Sequence, residues 1–97
     1  YMIQYDVTLG VSSGTDRSEG RIFMERKASG GTFAEIPGSK SRTYNRQTDE
    51  DSTTATAKIM YTVAAGDVFR VRANRASGTN TLIARNDESR FSILKIG

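Results

Sequence analysis

The chain opens with Tyr1-Met2-Ile3-Gln4-Tyr5-Asp6-Val7-Thr8-Leu9-Gly10-Val11-Ser12, and this stretch decides its fold class. Tyr1, Ile3, Tyr5, Val7, Leu9 and Val11 take the odd positions, with Met2, Gln4, Asp6, Thr8, Gly10 and Ser12 between them. Successive side chains of a strand point to opposite faces, so a period of two gathers the odd set on one face. A helix would scatter the same apolar residues around its circumference. At roughly 3.3 Å per residue, the alternation extends about 36 Å, which is long for one strand.

Working outward, residues 12–20 are small or polar and read as a loop. Residues 21–27 (RIFMERK) read as a second strand with apolar residues on both faces. A turn at residues 28–31 leads to a short strand over 32–36, stopped by Pro37-Gly38. Pro37 fixes its own φ and Gly38 permits a positive one, so a type II turn is expected. Residues 39–46 are polar apart from Tyr44 and suit an edge strand, and 47–52 form a charged loop. A second clean alternation then sends Ala55, Ala57, Ile59, Tyr61 and Val63 inward. After the turn at Ala65-Gly66-Asp67, Phe69, Val71 and Ala73 face in, while Arg70, Arg72 and Asn74 face out. A turn at 77–80, a short strand at 81–84 and a turn at 86–88 precede the closing strand, residues 90–96. There Phe91 and Ile93 face one way and Leu94 and Ile96 the other, as in a central strand or one facing a subunit partner. Six or seven short strands with frequent turns indicate an all-β antiparallel sandwich, and eight would make a jelly roll.

A length of 97 residues suits a single domain spanning 1–97. Such a domain buries only about two thirds of the surface of its unfolded chain. With no cysteine there is no disulfide to reinforce the core and no soft site for zinc or an iron–sulfur cluster. A small core of this kind often gains stability from an oligomer interface. Because Tyr1 already lies inside a strand pattern, the sequence reads as the C-terminal part of a longer polypeptide whose start supplies the first strands. The formal charge is +3, and the fourteen basic residues are mostly interspersed with acids. That distribution is a solvated surface rather than the concentrated basic face of a nucleic-acid binder. No apolar run approaches the ~18 residues of a membrane span, so neither nucleic acid nor membrane insertion is expected.

Chemistry has few footholds. Without histidine or cysteine the usual general base and the Ser–His and Cys–His dyads are absent. Glu25 and Glu35, on neighbouring strands, form a candidate glycosidase pair, against the simpler reading that they pair with Arg21 or Arg26. Asp49-Glu50-Asp51 offers oxygen ligands to calcium, yet its spacing lacks the alternation of a calcium loop, and a solvated loop is the simpler reading. The same applies to Asp87-Glu88. No catalytic, cofactor-binding or metal-binding residue is assigned. Arg70, Arg72 and Arg75 form the densest basic cluster and would suit an anionic cell-surface glycan, or cross-strand ion pairs. Tyr44, in a polar stretch, is the tyrosine expected to be exposed, so Tyr44, Arg70, Arg72 and Arg75 are the candidate ligand contacts. Tyr1, Tyr5, Tyr61, Phe91, Ile93, Leu94 and Ile96 are the candidate core or subunit-interface residues.

The segment Thr62-Val63-Ala64-Ala65-Gly66-Asp67-Val68-Phe69-Arg70-Val71, followed by Glu88-Ser89-Arg90-Phe91-Ser92-Ile93-Leu94, resembles the end of a known domain. The domain is the jelly roll shared by complement-type globular heads and tumour necrosis factor-like ligands. The opening Tyr1-Met2-Ile3-Gln4-Tyr5-Asp6-Val7 is similar to that family's central Tyr-rich strand. Together these cover about half the chain. The lack of Trp and Cys and the many Thr, Ser and Asn residues depart from the animal members. They resemble the versions found on bacteriophage virions, in fibre tips and capsid-decorating proteins. The resemblance implies a homotrimer with apolar and tyrosine side chains at its axis, in contact with other virion proteins. Glycan or receptor contacts would lie in variable loops, so no binding residue carries over by position. The function expected is therefore a non-enzymatic virion module, decorating a capsid or tipping a tail fibre for host attachment. A carbohydrate-binding module attached to an upstream enzyme is the alternative, and a small two-carboxylate glycosidase a third reading.

Overall fold

Each stretch with period-two alternation forms a strand. In the computed structural model, which describes residues 1–13, 17–45, 52–78 and 81–96, these are β1 (Met2–Ser13), β2 (Ser18–Lys27), β3 (Ala34–Glu35), β4 (Ser41–Asn45), β5 (Ser52–Met60), β6 (Val68–Ser77), β7 (Thr81–Ala84) and β8 (Arg90–Leu94). A short 3₁₀ turn, Asn86–Glu88, separates β7 from β8.

The strands make two antiparallel sheets built on one plan, each with a long strand at its centre. In the first sheet β1 pairs along one side with β5, from Met2↔Met60 to Gly10↔Ser52. Its other side pairs with two strands in succession, β8 along Met2–Asp6 and β7 along Leu9–Ser13. In the second sheet β2 pairs on one side with β6 and on the other with β4 and then β3. The chain crosses between the sheets at β1→β2, β4→β5, β5→β6 and β6→β7. The antiparallel all-β sandwich expected from the sequence is thus the fold.

The odd face of β1 is the centre of the core. Ile3, Tyr5, Val7 and Leu9 pack with Ile22 and Met24 of β2, and with Ile36 and Ala55. Tyr5 also ties the sheets together by hydrogen bonds. Its hydroxyl lies 2.6 Å from Ser41 Oγ, 2.7 Å from the Ser39 carbonyl and 3.1 Å from the Ile22 carbonyl. One phenolic proton serves the carbonyls while the serine hydroxyl donates to the phenol. Burial pushes the Tyr5 phenol above its ordinary range, an effect opposed by the Ser41 hydrogen bonds.

The inner face of β4 is polar, unlike the rest of the core. Thr43 and Asn45 are buried, as is Ser39 just before the strand. Asn45 donates from Nδ2 to the Leu9 carbonyl of the facing sheet and accepts from Thr43 Oγ1, while Thr43 accepts from the Gly20 amide. Before β4, Ile36-Pro37-Gly38-Ser39 turns as Pro-Gly predicts, with Gly38 at φ 82 and Ser39 N donating to the Ile36 carbonyl.

Of the two settings expected for the final strand, central or facing a subunit partner, the structure excludes the first. β8, apolar on both faces, is not central; it pairs only with β1 among the described strands, and all five of its residues are exposed. Alternation reports which faces are apolar, not whether a neighbour lies on each side.

Candidate functional site

Among the described residues three places bring chemically capable side chains together. The first is the outer face of the second sheet. Glu25, towards the end of β2 and nearly buried, accepts from Arg70 Nε at 2.6 Å and lies 3.8 Å from Arg72 Nη1. These contacts follow from the register, which sets Glu25 opposite Arg70 and Phe23 opposite Arg72. Arg70 also lies over the Phe33 ring, 3.8 Å from its centroid, with Lys27 5.5 Å from the same ring. Around this centre Glu19 pairs with Arg42 and Glu35 with Lys40, and Arg21 donates to Asn74. Glu25 and Glu35 are direct cross-strand partners. Two like charges so placed repel, and the flanking cations offset this. Arg21 and Arg26, the partners expected from the sequence, do not fill that role; Arg70 and Arg72 pair with Glu25 instead. An exposed sheet face crossed by ion pairs offers a polar contact surface rather than an enclosed cleft.

Of the candidate ligand contacts, Tyr44, Arg70 and Arg72 therefore share one face. Tyr44 stands opposite Glu19 with nearly half its surface exposed. Arg75 lies elsewhere. It stands opposite Gly20, on the inward side of β6, and lines a cavity of about 360 Å³ with Leu9, Ala73 and Leu82.

The second place is the end of the sandwich. Arg26, on the inward side of β2, donates from Nη2 to Asp67 Oδ1, and its guanidinium lies 5.7 Å from the Tyr61 ring centroid. Tyr61 meets Phe69 edge to face at 5.6 Å. Asp67 Oδ2 also accepts the Ala64 amide, and Gly66 takes φ 86 in the same turn. The arginine hydrogen bond, then the Ala64 amide, hold the Asp67 carboxyl below the usual carboxylate range. This arrangement is structural.

The third is the outer face of the first sheet. Register sets Met60 and Leu94 on either side of Met2, so three apolar side chains form a row across the sheet. Met60 and Leu94 are 68% and 54% exposed. Further along the face the next rows are polar: Gln4 with Lys58 and Ser92, then Asp6 with Thr56 and Arg90. Asp6, Asp87 and Glu88 line a shallow depression there with Thr8 and Thr54. No group of three or more carboxylates is placed to hold a metal ion among the described residues. Asp49-Glu50-Asp51 lies outside the described residues.

Of the candidate core or interface residues, Tyr5 is wholly buried and Tyr61 half-buried, while Tyr1, Phe91, Ile93, Leu94 and Ile96 are exposed. Sequence reasoning missed Met2 and Met60, which it placed on an outward face and weighed no further. Their signal was an apolar residue on an otherwise polar face at the same end of two paired strands. It also missed Glu25 as the hub of the arginine pairs, which requires the β2–β6 register. Comparison with protein families, curated proteins and solved structures finds no match for this chain.

Proposed function

We propose that this domain is a non-enzymatic assembly and adhesion module that forms a homotrimer and presents its loops from a rigid sandwich. The observation that carries the reading is the row Met60–Met2–Leu94, with Tyr1 and Ile96 exposed nearby in the chain. Large apolar side chains grouped on one solvent-facing patch mark an interaction surface. The surrounding Gln4, Lys58, Ser92 and Arg90 would supply a polar rim, the usual anatomy of a protein interface. A module working through surfaces also suits a sandwich in which Glu19, Glu25 and Glu35, on the outer face of the second sheet, are held by arginines and a lysine.

The bacteriophage setting, as capsid decoration or fibre tip, is proposed from the resemblance of residues 62–71 and 88–94 to the jelly roll described above. Loop presentation for host attachment follows from the same reading. A carbohydrate module finds less support. It needs an aromatic platform, and on the outer face of the second sheet Tyr44 is exposed while Phe33 is covered by Arg70.

Light scattering across a dilution series tests the assembly. A mass near three times 10.6 kDa is expected, falling to one copy in the double variant Met60→Lys, Leu94→Lys. A wild-type chain that stays monomeric at every concentration removes the proposal.

A further inference from the structure

We propose that the outer face of the second sheet binds a densely sulfated polysaccharide, held by the arginines and lysines around Phe23. This goes beyond the function proposed above, which places attachment in the loops. It is also independent of the trimer, whose apolar row lies on the other sheet.

The registers gather cations that the sequence disperses. Glu19, Arg21, Phe23, Glu25 and Lys27 take the outward positions of β2. Arg42 of β4 stands beside Arg21, while Arg72 and Arg70 of β6 stand beside Phe23 and Glu25. Lys40, just before β4, reaches Glu35 of β3 on the same face. Among the described residues the face therefore sets Arg21, Lys27, Lys40, Arg42, Arg70 and Arg72 against Glu19, Glu25 and Glu35. The outer face of the first sheet has no such surplus. There Lys58 and Arg90 stand beside Gln4 and Asp6, and Asp87 and Glu88 line the same depression as Arg90.

All three carboxylates are already engaged. Glu19 holds Arg42, Glu35 holds Lys40, and Arg70 and Arg72 share Glu25. Lys27 lies over the Phe33 ring, and among the described residues neither it nor Arg21 meets an acid. Arg21 is the most telling. Its Nε donates to the neutral amide oxygen of Asn74, and its cross-strand neighbour on the other side is Arg42. Like charges directly opposed on a sheet are destabilising, and an anion bridging the two guanidiniums relieves that repulsion. The Arg42 and Arg72 side chains are 56% and 54% exposed, so both can reach a ligand lying on the sheet.

The chemistry of the face selects the ligand. Guanidiniums bind oxyanions through paired hydrogen bonds. Neighbouring positions stand about 4.8 Å apart across the strands and about 6.6 Å apart along one. Cations spread this closely over β4, β2 and β6 suit a polymer with several anions around each unit. Sulfated sugars provide that, whereas uronate or glutamate polymers carry one carboxylate per unit. Single-stranded nucleic acid would stack its bases on exposed aromatic rings, but Phe23 is 9% exposed and Phe33 lies under Arg70. A duplex is read by a helix or a two-stranded ribbon entering its groove, and a sheet face presents neither. Recognition by charge needs no aromatic platform, so the face suits an acidic glycan though not a neutral one.

The test titrates the ¹⁵N-labelled chain with a heparin hexasaccharide at about 0.15 M salt. Saturable shifts are expected at the amides of Arg21, Phe23, Arg42 and Arg72, with affinity falling as salt rises. The double variant Arg21→Gln, Arg72→Gln should bind at least about tenfold more weakly. Lys58→Gln, Arg90→Gln removes as much charge from the other sheet and should change binding by less than about twofold. The spectrum of each variant reports whether its fold is intact. No shift up to about 1 mM heparin fragment overturns the proposal. An equal loss in the two double variants also overturns it, because the attraction is then to net charge alone. So does equal or tighter binding of polyglutamate, polygalacturonate or a DNA duplex of matched charge, because sulfation is then not what the face reads.

Discussion

Arg26 and Asp67, forty-one residues apart in the chain, meet at 2.8 Å where β2 ends and β6 begins, and this pair closes one end of the sandwich. The Asp67 side chain is almost fully enclosed while Arg26 keeps partial contact with solvent. The Gly-Asp turn has a physical reason in this pair. Gly66 adopts a positive φ, and the carboxylate that follows caps the turn at Ala64 and reaches across to Arg26 on the neighbouring strand at the same end of the sheet.

Asp67→Asn is expected to lower the urea midpoint and to remove part of its pH dependence. The folded state holds the Asp67 carboxyl below its ordinary value, so its contribution is complete above the unfolded carboxylate pKa of about 4 and is lost as pH falls toward the lower folded value. Urea titrations between about pH 2 and pH 7 should show the wild type losing stability over the acidic end. The variant should show a shallower loss there. Equal slopes for both would mean that the pair does not act as a clasp.

Tyr5→Phe should cost about 1–3 kcal/mol, since it leaves Ser41 Oγ and two carbonyls short of their partner inside the core. The ring stays, so no cavity forms and the urea m-value should hold. The phenol is raised above its usual pKa in the folded state, so its stabilising effect is present below about pH 10 and lost as pH rises further. Tyr5→Phe should therefore flatten the alkaline limb of a stability-against-pH curve.

Asn45→Ala should cost about 1–3 kcal/mol, by leaving the Leu9 carbonyl and the Thr43 hydroxyl unsatisfied in a buried place. Replacing Thr43 as well, by Val, should cost less than the two single changes summed, because the residues share one network. Chemical denaturation of the single and double variants measures the difference. Strict additivity would show that Thr43 and Asn45 act separately.

Gly20→Ala should destabilise by about 1–3 kcal/mol through overpacking. A Cβ at this position would collide with the Leu9 side chain of the facing sheet and with Thr43 Oγ1. Shortening the neighbour in Gly20→Ala, Leu9→Val should recover part of the loss in thermal midpoint, whereas no recovery would place the strain elsewhere.

Much of this architecture was legible in the sequence because β1, β5 and β6 alternate cleanly, which fixed the inward faces of Ile3, Tyr5, Ala55 and Phe69. The inner face of β4 was not. Ser39, Ser41, Thr43 and Asn45 also recur with period two, but small polar residues carry that period equally well on a wet face. Ser39, Thr43 and Asn45 are buried and Ser41 half-buried, because the Tyr5 hydroxyl, the Met24 and Gly20 amides and the Leu9 carbonyl give their polar groups partners. The arginine pairs of Glu25 were hidden for a related reason. Alternation tells that Arg70 and Arg72 face outward, but the register that brings them to Glu25 joins segments 45 residues apart. The Met2, Met60 and Leu94 row needs two such registers at once.

Each central strand has one unbroken flank and one made of two shorter strands, and this has a consequence for how the domain can change. Where the flank beside β1 is interrupted, Thr8 keeps both its backbone groups occupied: its amide binds Ser89 Oγ and its carbonyl accepts the Arg85 amide. The interruption beside β2 is spanned in the same manner by Ser39 Oγ, which accepts the Met24 amide. A single serine hydroxyl stands in for a missing rung each time, so β7 and β8, or β3 and β4, keep their alignment independently of one another. Length can therefore be gained or lost at these two seams without slipping the register of either neighbour, which makes them the natural places to graft new loops onto this scaffold.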